Sequence, residues 1–134
     1  MAVFSSMPYA PAKYSAARLR PRFRVFCGSE IALGPGKVEL LRAVSATGSI
    51  RKAASGLGMS YMRAWLLIRT MNRCFKEPLV EAARGGSQYG GARLTAAGKA
   101  ALRLYERLEA ESLAATRKTR RELERLLNPR PPRE

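Results

Sequence analysis

The sequence predicts a mainly α fold with a small β-wing, closed by one long C-terminal helix. Three observations carry that prediction. Ser49 to Asn72 (SIRKAASGLGMSYMRAWLLIRTMN) divides at Gly58 into two short amphipathic segments, each opened by a serine. Two short apolar runs, Leu79 to Ala83 and Ala92 to Leu94, flank a glycine-rich segment. From Ala96 the chain reaches Leu127 without a proline, along a stripe of Ala97, Ala101, Leu104, Tyr105 and Leu108. Two helices at a tight corner, a glycine-tipped hairpin and then a helix are the parts of a winged helix-turn-helix.

Residues 1–21 read as a flexible basic arm. Pro8, Pro11 and Pro21 interrupt regular structure there, leaving room for a helical turn or two between Ala12 and Arg20. Residues 22–95 are the expected helix-turn-helix domain. Phe23, Val25 and Cys27 alternate with Arg22, Arg24 and Phe26, the period of a half-buried strand. Past Gly28, the Glu30-Ile31-Ala32-Leu33 segment reads as the return strand of a hairpin. Pro35 opens a helix whose Val38, Leu41 and Val44 lie on one side, widened by Leu40 and Ala43, and Thr47-Gly48 ends it.

Ser49 and Ser60 are the expected N-caps of the next two helices, since a serine oxygen accepts the free amides of a first turn. Gly58 supplies the left-handed backbone that such a corner requires. Ala53, Leu57, Met59, Ala64 and Leu67 are expected to point inward, with alanine small where the helices cross. The second of these helices, about residues 60–73, shows which way it faces. Ala64, Leu67, Ile68 and Met71 fall on one side, and Met62, Arg63, Leu66, Arg69, Thr70 and Arg73 on the other. No acid occurs between Ser49 and Lys76. An ordinary solvated face usually mixes signs, so this one favours an anionic partner. Tyr61 and Trp65 sit at the flank, where packing competes with a phosphate or base-edge contact.

Glu77-Pro78 stops the reading helix, and the wing strands follow. Thr95 caps the last helix, which is expected to run unbroken over residues 96–128, roughly 48 Å at 1.5 Å per residue. Such a helix is too long for so small a core, which predicts pairing with a partner subunit. Glu106, Glu109, Glu111, Glu122 and Glu124 alternate with arginines at i,i+3 and i,i+4 spacings and support the helix itself. Residues 129–134 read as a proline-rich tail.

The charge narrows the function. The 134 residues carry 25 Lys and Arg against 10 Asp and Glu, a net +15, with an isoelectric point near 11.1. That excess points to a polyanion, with nucleic acid the first candidate and an anionic membrane surface the second. No apolar run reaches the roughly 18 residues of a spanning helix, and proline and charge occupy the place of a secretory core segment. The chain contains no histidine, so histidine-based acid-base chemistry and histidine-ligated metals are excluded. Gly34-Pro35-Gly36-Lys37 lacks the length and hydroxyl of a phosphate-binding loop. Catalysis, cofactors and metals are therefore not expected. Cys27 and Cys74 fit free, buried thiols in a reducing cytoplasm.

The Gly48-Ser49-Ile50 lead-in, the Gly58-Met59-Ser60-Tyr61 corner, the Ala64-Trp65 pair and the Met71-Asn72 close carry a resemblance. Pro78-Leu79-Val80-Glu81, the Gly85-Gly86 and Gly90-Gly91 pairs, and Leu94-Thr95 with Gly98 extend it. From about Phe23 to Leu108 the sequence resembles the N-terminal winged helix-turn-helix of the molybdate-responsive ModE regulators, itself similar to the LysR-type DNA-binding domain. The molybdate-binding domains of that family have no counterpart in this sequence.

The expected function is sequence-specific binding of double-stranded DNA as a dimeric transcriptional regulator. The reading helix would lie in the major groove and the wing, about residues 84–93, on the adjacent groove or backbone. Ser60, Tyr61 and Arg63 would meet base edges or the nearest phosphates, with Arg69 and Arg73 further along. Ser49 and Arg51 would hold a phosphate at the start of the preceding helix. Arg84, Gln88, Tyr89 and Arg93 would supply donors from the wing. No direct oxyanion site is expected, so a metal signal would arrive through a separate sensor chain. The competing expectation is a nonspecific architectural or ribosome-associated basic protein.

Overall fold

The structure, a computed structural model, describes residues 19–83 and 91–130. The N-terminal arm up to residue 18 and the wing tip, residues 84–90, lie outside the described residues. Strand β1 (Val25–Cys27) pairs antiparallel with β2 (Glu30–Leu33). Three helices follow: α1 (Pro35–Thr47), α2 (Ile50–Gly56) and α3 (Tyr61–Cys74). The wing strands β3 (Val80–Ala82) and β4 (Ala92–Leu94) form a second antiparallel pair, with Glu81 opposite Arg93. Helices α4 (Ala96–Ala115) and α5 (Arg117–Glu124) close the described chain.

Alternation of apolar residues at helical spacing builds the core between α1, α2 and α3. Val38, Leu40, Leu41 and Val44 of α1 meet Ala53, Ala54 and Leu57 of α2 and Ala64, Ile68 and Met71 of α3, all buried. Met59 and Leu67, expected inside, are partly buried against that cluster. The corner forms as its serines and glycine dictate. Ser49 Oγ accepts from the Lys52 amide and Ser60 Oγ from the Arg63 amide, each at 3.1 Å. Gly58 has φ +68°, the left-handed region closed to most side chains.

The wing is fastened at both ends. The Ala92 amide donates to Gly48 O at 2.9 Å, which places β4 beside the lead-in to α2. At the other end Asn72 uses its whole side chain. Its Nδ2 donates to Val80 O at 3.0 Å, and its Oδ1 accepts from the amides of Leu79 and Val80 at 2.8 and 3.1 Å. The end of the reading helix is thereby bonded directly to the first wing strand.

Helix α4 begins on the wing base. Thr95 Oγ1 accepts from the Gly98 amide at 3.0 Å and donates to Pro78 O at 2.6 Å. Gly98 lies so near the chain that a Cβ there would stand 2.1 Å from Leu79 O. Further along, buried Tyr105 donates its hydroxyl to Phe23 O at 2.8 Å, and Arg42 of α1 pairs with Glu106 at 3.3 Å. Burial pushes the Tyr105 phenol above its usual range, which keeps it a donor at neutral pH.

Four expectations are corrected. The last helix is not continuous: it breaks at Thr116, whose φ and ψ are −103° and 9°. Thr116 Oγ1 and the Thr116 amide both donate to Ser112 O, at 2.6 and 3.1 Å, and Arg120 Nη2 donates to Leu113 O at 2.7 Å. Strand β1 is not half-buried. Val25 and Phe26 are 40% and 63% exposed, because Ala32 and Leu33 of β2 take the core side of the hairpin. Nor are the cysteines buried: Cys27 is exposed and Cys74 half-buried. Desolvation, then the Cys27 thiol and the Glu30 carboxylate beside it, hold the Cys74 thiol above its usual range. The expected stripe on α4 also splits. Ala97, Ala101 and Tyr105 pack on the core, while Leu104 and Leu108 stay exposed.

Candidate nucleic-acid interface

Helix α3 turns its alanine, isoleucine and buried methionine inward, which forces the residues between them out. Met62, Arg63, Leu66, Arg69 and Arg73 are exposed, and Met62 keeps 60% of its surface. The outward side is cationic, and the arginines on it differ in how they are held. Arg69 lies over the Trp65 ring at 5.5 Å from its centroid, stacked on its own helix. Arg51, in the first turn of α2, lies over the Tyr61 ring at 4.7 Å. That contact joins the start of α2 to the start of α3 across the corner, and brings Ser49, Arg51, Ser60 and Tyr61 to one edge. Tyr61 and Trp65 are 41% and 40% exposed, so packing takes only part of each ring.

Arg73 is not free. It pairs with Glu30 of β2 at 2.5 Å, and the Cys74 thiol meets the other carboxylate oxygen at 3.5 Å. These two contacts, with Arg73 the larger, hold the Glu30 carboxyl below the usual carboxylate range. Arg93 on the wing is likewise bonded to Glu81, its cross-strand partner, at 2.9 Å. Both guanidiniums remain largely exposed, and an exposed pair of this kind is weak enough to yield to a phosphate. Arg84, Gln88 and Tyr89 lie outside the described residues.

The hydroxyls of Ser49 and Ser60 are engaged as acceptors by their own helices. Each therefore has its proton left to donate. Arg63, near the start of α3, stands at the junction of the reading face and a cleft beside α1. Arg22, Arg24 and Lys37 line that cleft with it. None of those three emerged from the sequence as a site residue. They come from separate segments, and only folding brings them beside Arg63.

Known proteins share the helix-turn-helix at the centre of this arrangement. Residues 36–99 match the bacterial regulatory helix-turn-helix family of LysR type. The chain carries a ModE-like, LysR-type helix-turn-helix domain. The match begins in α1 and ends in the first turn of α4, so the domain comprises the three-helix core, the corner and both wing strands. The chain is 38% identical over 101 residues to the molybdenum transport protein ModE of Azotobacter vinelandii, covering 75% of this chain and 37% of that one. It is 43% identical over 77 residues to the molybdenum-pterin-binding protein MopA of Rhodobacter capsulatus, covering 58% and 29%. The DNA-binding transcriptional dual regulator ModE of Escherichia coli K12 is 40% identical over 74 residues, 55% and 28% of the two chains. The chain thus spans about a third of the length of these relatives. Among the described residues no helix is long and apolar enough to cross a membrane.

Proposed function

We propose that this protein is a sequence-specific DNA-binding transcriptional regulator. One observation carries the reading: a helix-turn-helix of ModE type presents an exposed, acid-free face on α3, with Arg63 and Arg69 on it. Arginine there can donate two hydrogen bonds to a guanine edge in the major groove, or hold phosphates along its lip. Ser60, Tyr61 and Arg63 meet the DNA first, Arg69 and Arg73 follow along the groove, and Ser49 with Arg51 hold a phosphate at the start of α2. The wing, with Arg93 and the segment containing Arg84, Gln88 and Tyr89, lies on the adjacent groove or backbone. The protein works in the cytoplasm and has no catalytic role.

The functional unit is a homodimer joined through the last helices. Exposed Leu104 and Leu108 on α4, and Leu123 beyond the break, support that assembly, since they are apolar and uncovered in one protomer. Two reading helices then enter successive major grooves about 34–36 Å apart. Two of these relatives' names refer to molybdenum. Under this reading such a signal reaches the domain from a sensing unit outside the helix-turn-helix.

Selection of binding sites from a random DNA pool tests the proposal. An enriched motif with two-fold symmetry is the expected result. A pool that shows no enrichment, with affinity governed only by salt, overturns it in favour of a nonspecific architectural protein.

A further inference from the structure

The cleft beside α1 is concave, and its walls are dominated by positive charge. It has a volume of about 290 Å³ and is lined by Arg22, Arg24, Lys37 and Arg63, with Ile31, Met59 and Leu67 as its apolar floor. Among the described residues, none of these four cations forms a salt bridge. Elsewhere in the same structure arginines do find acids: Arg42, Arg73, Arg93 and Arg107 each pair with a glutamate. Like charges gathered around one cleft repel one another. Burial, the main cause, lowers the Lys37 ammonium below its usual range; the charge of Arg63 adds to this, while Cys74 and Glu30 oppose it.

The backbone at this place adds donors of the same sense. Gly34 caps α1 without a side-chain acceptor, and no acid occupies the first turn. Pro35 has no amide hydrogen, and the Val38 amide is already bonded to Gly34 O. The amides of Gly36 and Lys37 remain for a ligand. A Cβ built on Gly36 meets nothing within 4 Å, so no neighbour crowds that side of the first turn.

We propose that this cleft binds a tetrahedral phosphate-type oxyanion through Arg22, Arg24, Lys37 and Arg63. Resting on the DNA-binding reading, we identify the ion as a backbone phosphate of the bound duplex. Arg63 belongs both to the cleft and to the outward side of α3, so a groove occupied by α3 has its phosphates at the cleft mouth. The contact surface then extends past the reading helix to the N-terminal hairpin. The other source of the same chemistry is free phosphate in solution.

Two measurements on the full chain test this. In the first, inorganic phosphate replaces chloride at constant ionic strength while the amide resonances of Gly36 and Lys37 are followed. In the second, duplex affinity is measured against salt for the wild type and for Arg24→Gln/Lys37→Gln, with folding of the variant checked by circular dichroism. The expected result is a saturable shift at both amides that the double variant lacks. With it, the slope of log affinity against log salt should fall by about 0.9, one phosphate contact. Between 50 and 200 mM salt the wild type then loses about 3.5-fold more affinity than the variant. A changed slope without free-phosphate binding supports the site as one for duplex phosphate. Phosphate binding without a changed slope supports it as one for the free ion. Phosphate binding by a protein that binds no DNA at all leaves the site standing and removes the regulator reading. An unchanged slope together with unmoved amides overturns the site while the regulator reading survives.

Discussion

Gly98→Ala pits local preference against packing, and the two predict opposite signs. By helix propensity alone, alanine in the first turns of α4 should stabilise by up to about 1 kcal/mol. The structure forbids that gain. A Cβ at this position stands 2.1 Å from Leu79 O and 3.0 Å from Leu79 C, both backbone atoms that cannot rotate away. Restoring an ordinary contact requires α4 to retreat by roughly 1 Å. That movement pulls on the Thr95 amide, bonded to the same Leu79 O at 3.0 Å, and on the Thr95 hydroxyl at Pro78. Overpacking of this kind costs about 1–3 kcal/mol, and a strained hydrogen bond about 1 more. After the propensity gain is subtracted, a net loss of about 1–3 kcal/mol is expected. Urea unfolding followed by circular dichroism measures it, with a midpoint lowered by about 1–2 M. Gly56→Ala is the control. Its Cβ meets nothing within 4 Å, and the same substitution there should stabilise by about 0.4–1 kcal/mol. A Gly98→Ala protein as stable as the wild type would refute the close approach of α4 to the wing base.

Asn72→Ala removes a donor and an acceptor that bond Leu79 and Val80, and should cost about 2–3 kcal/mol in urea unfolding. Amide exchange in β3 should quicken with it; unchanged exchange would mean the wing is held from elsewhere. Arg63→Ala should weaken binding to a selected site by about 1–3 kcal/mol and relax one base position if Arg63 grips a guanine. An equal loss on every sequence assigns Arg63 to phosphate alone, and no loss in gel shifts removes it from the interface. The Glu30 carboxyl, held down mainly by Arg73 and then by Cys74, should titrate below an ordinary glutamate in a carbon-detected NMR titration. A depressed folded value means the pairing is present at neutral pH and is lost as pH falls through that value. In Arg73→Ala the Glu30 titration should move back up, and a stationary value would refute the assignment. Tyr105→Phe should lower stability by about 0.5–1.5 kcal/mol through loss of the bond to Phe23 O, read as a lowered urea midpoint.

Much of the fold was legible because its signals are local. Ser49, Ser60 and Thr95 accept from amides three residues on, and Gly58 needs only its own positive φ, so spacing alone located the ends of α2, α3 and α4. The inward set of α3 followed from its period. What failed was equally physical. The break at Thr116 coincides with Arg120 taking Leu113 O from seven residues away, a side-chain contact that periodicity does not record. The exposure of β1 depends on which strand of the hairpin meets the core, and an alternating pattern fits either.

By itself the sequence determined the order of elements, the direction α3 faces and the sign of its charge. Caps, glycines and apolar spacing act over a single helical turn or strand pair, and net charge needs no geometry. The tertiary structure alone decided which cations are engaged and which are not. Glu30 reaches Arg73 across forty-three positions, and Glu81 reaches Arg93 across the wing. Arg22, Arg24, Lys37 and Arg63 meet around one cleft from segments that no spacing rule connects. Electrostatic attraction and repulsion depend on distance in space, and distance in space is what folding adds to a chain.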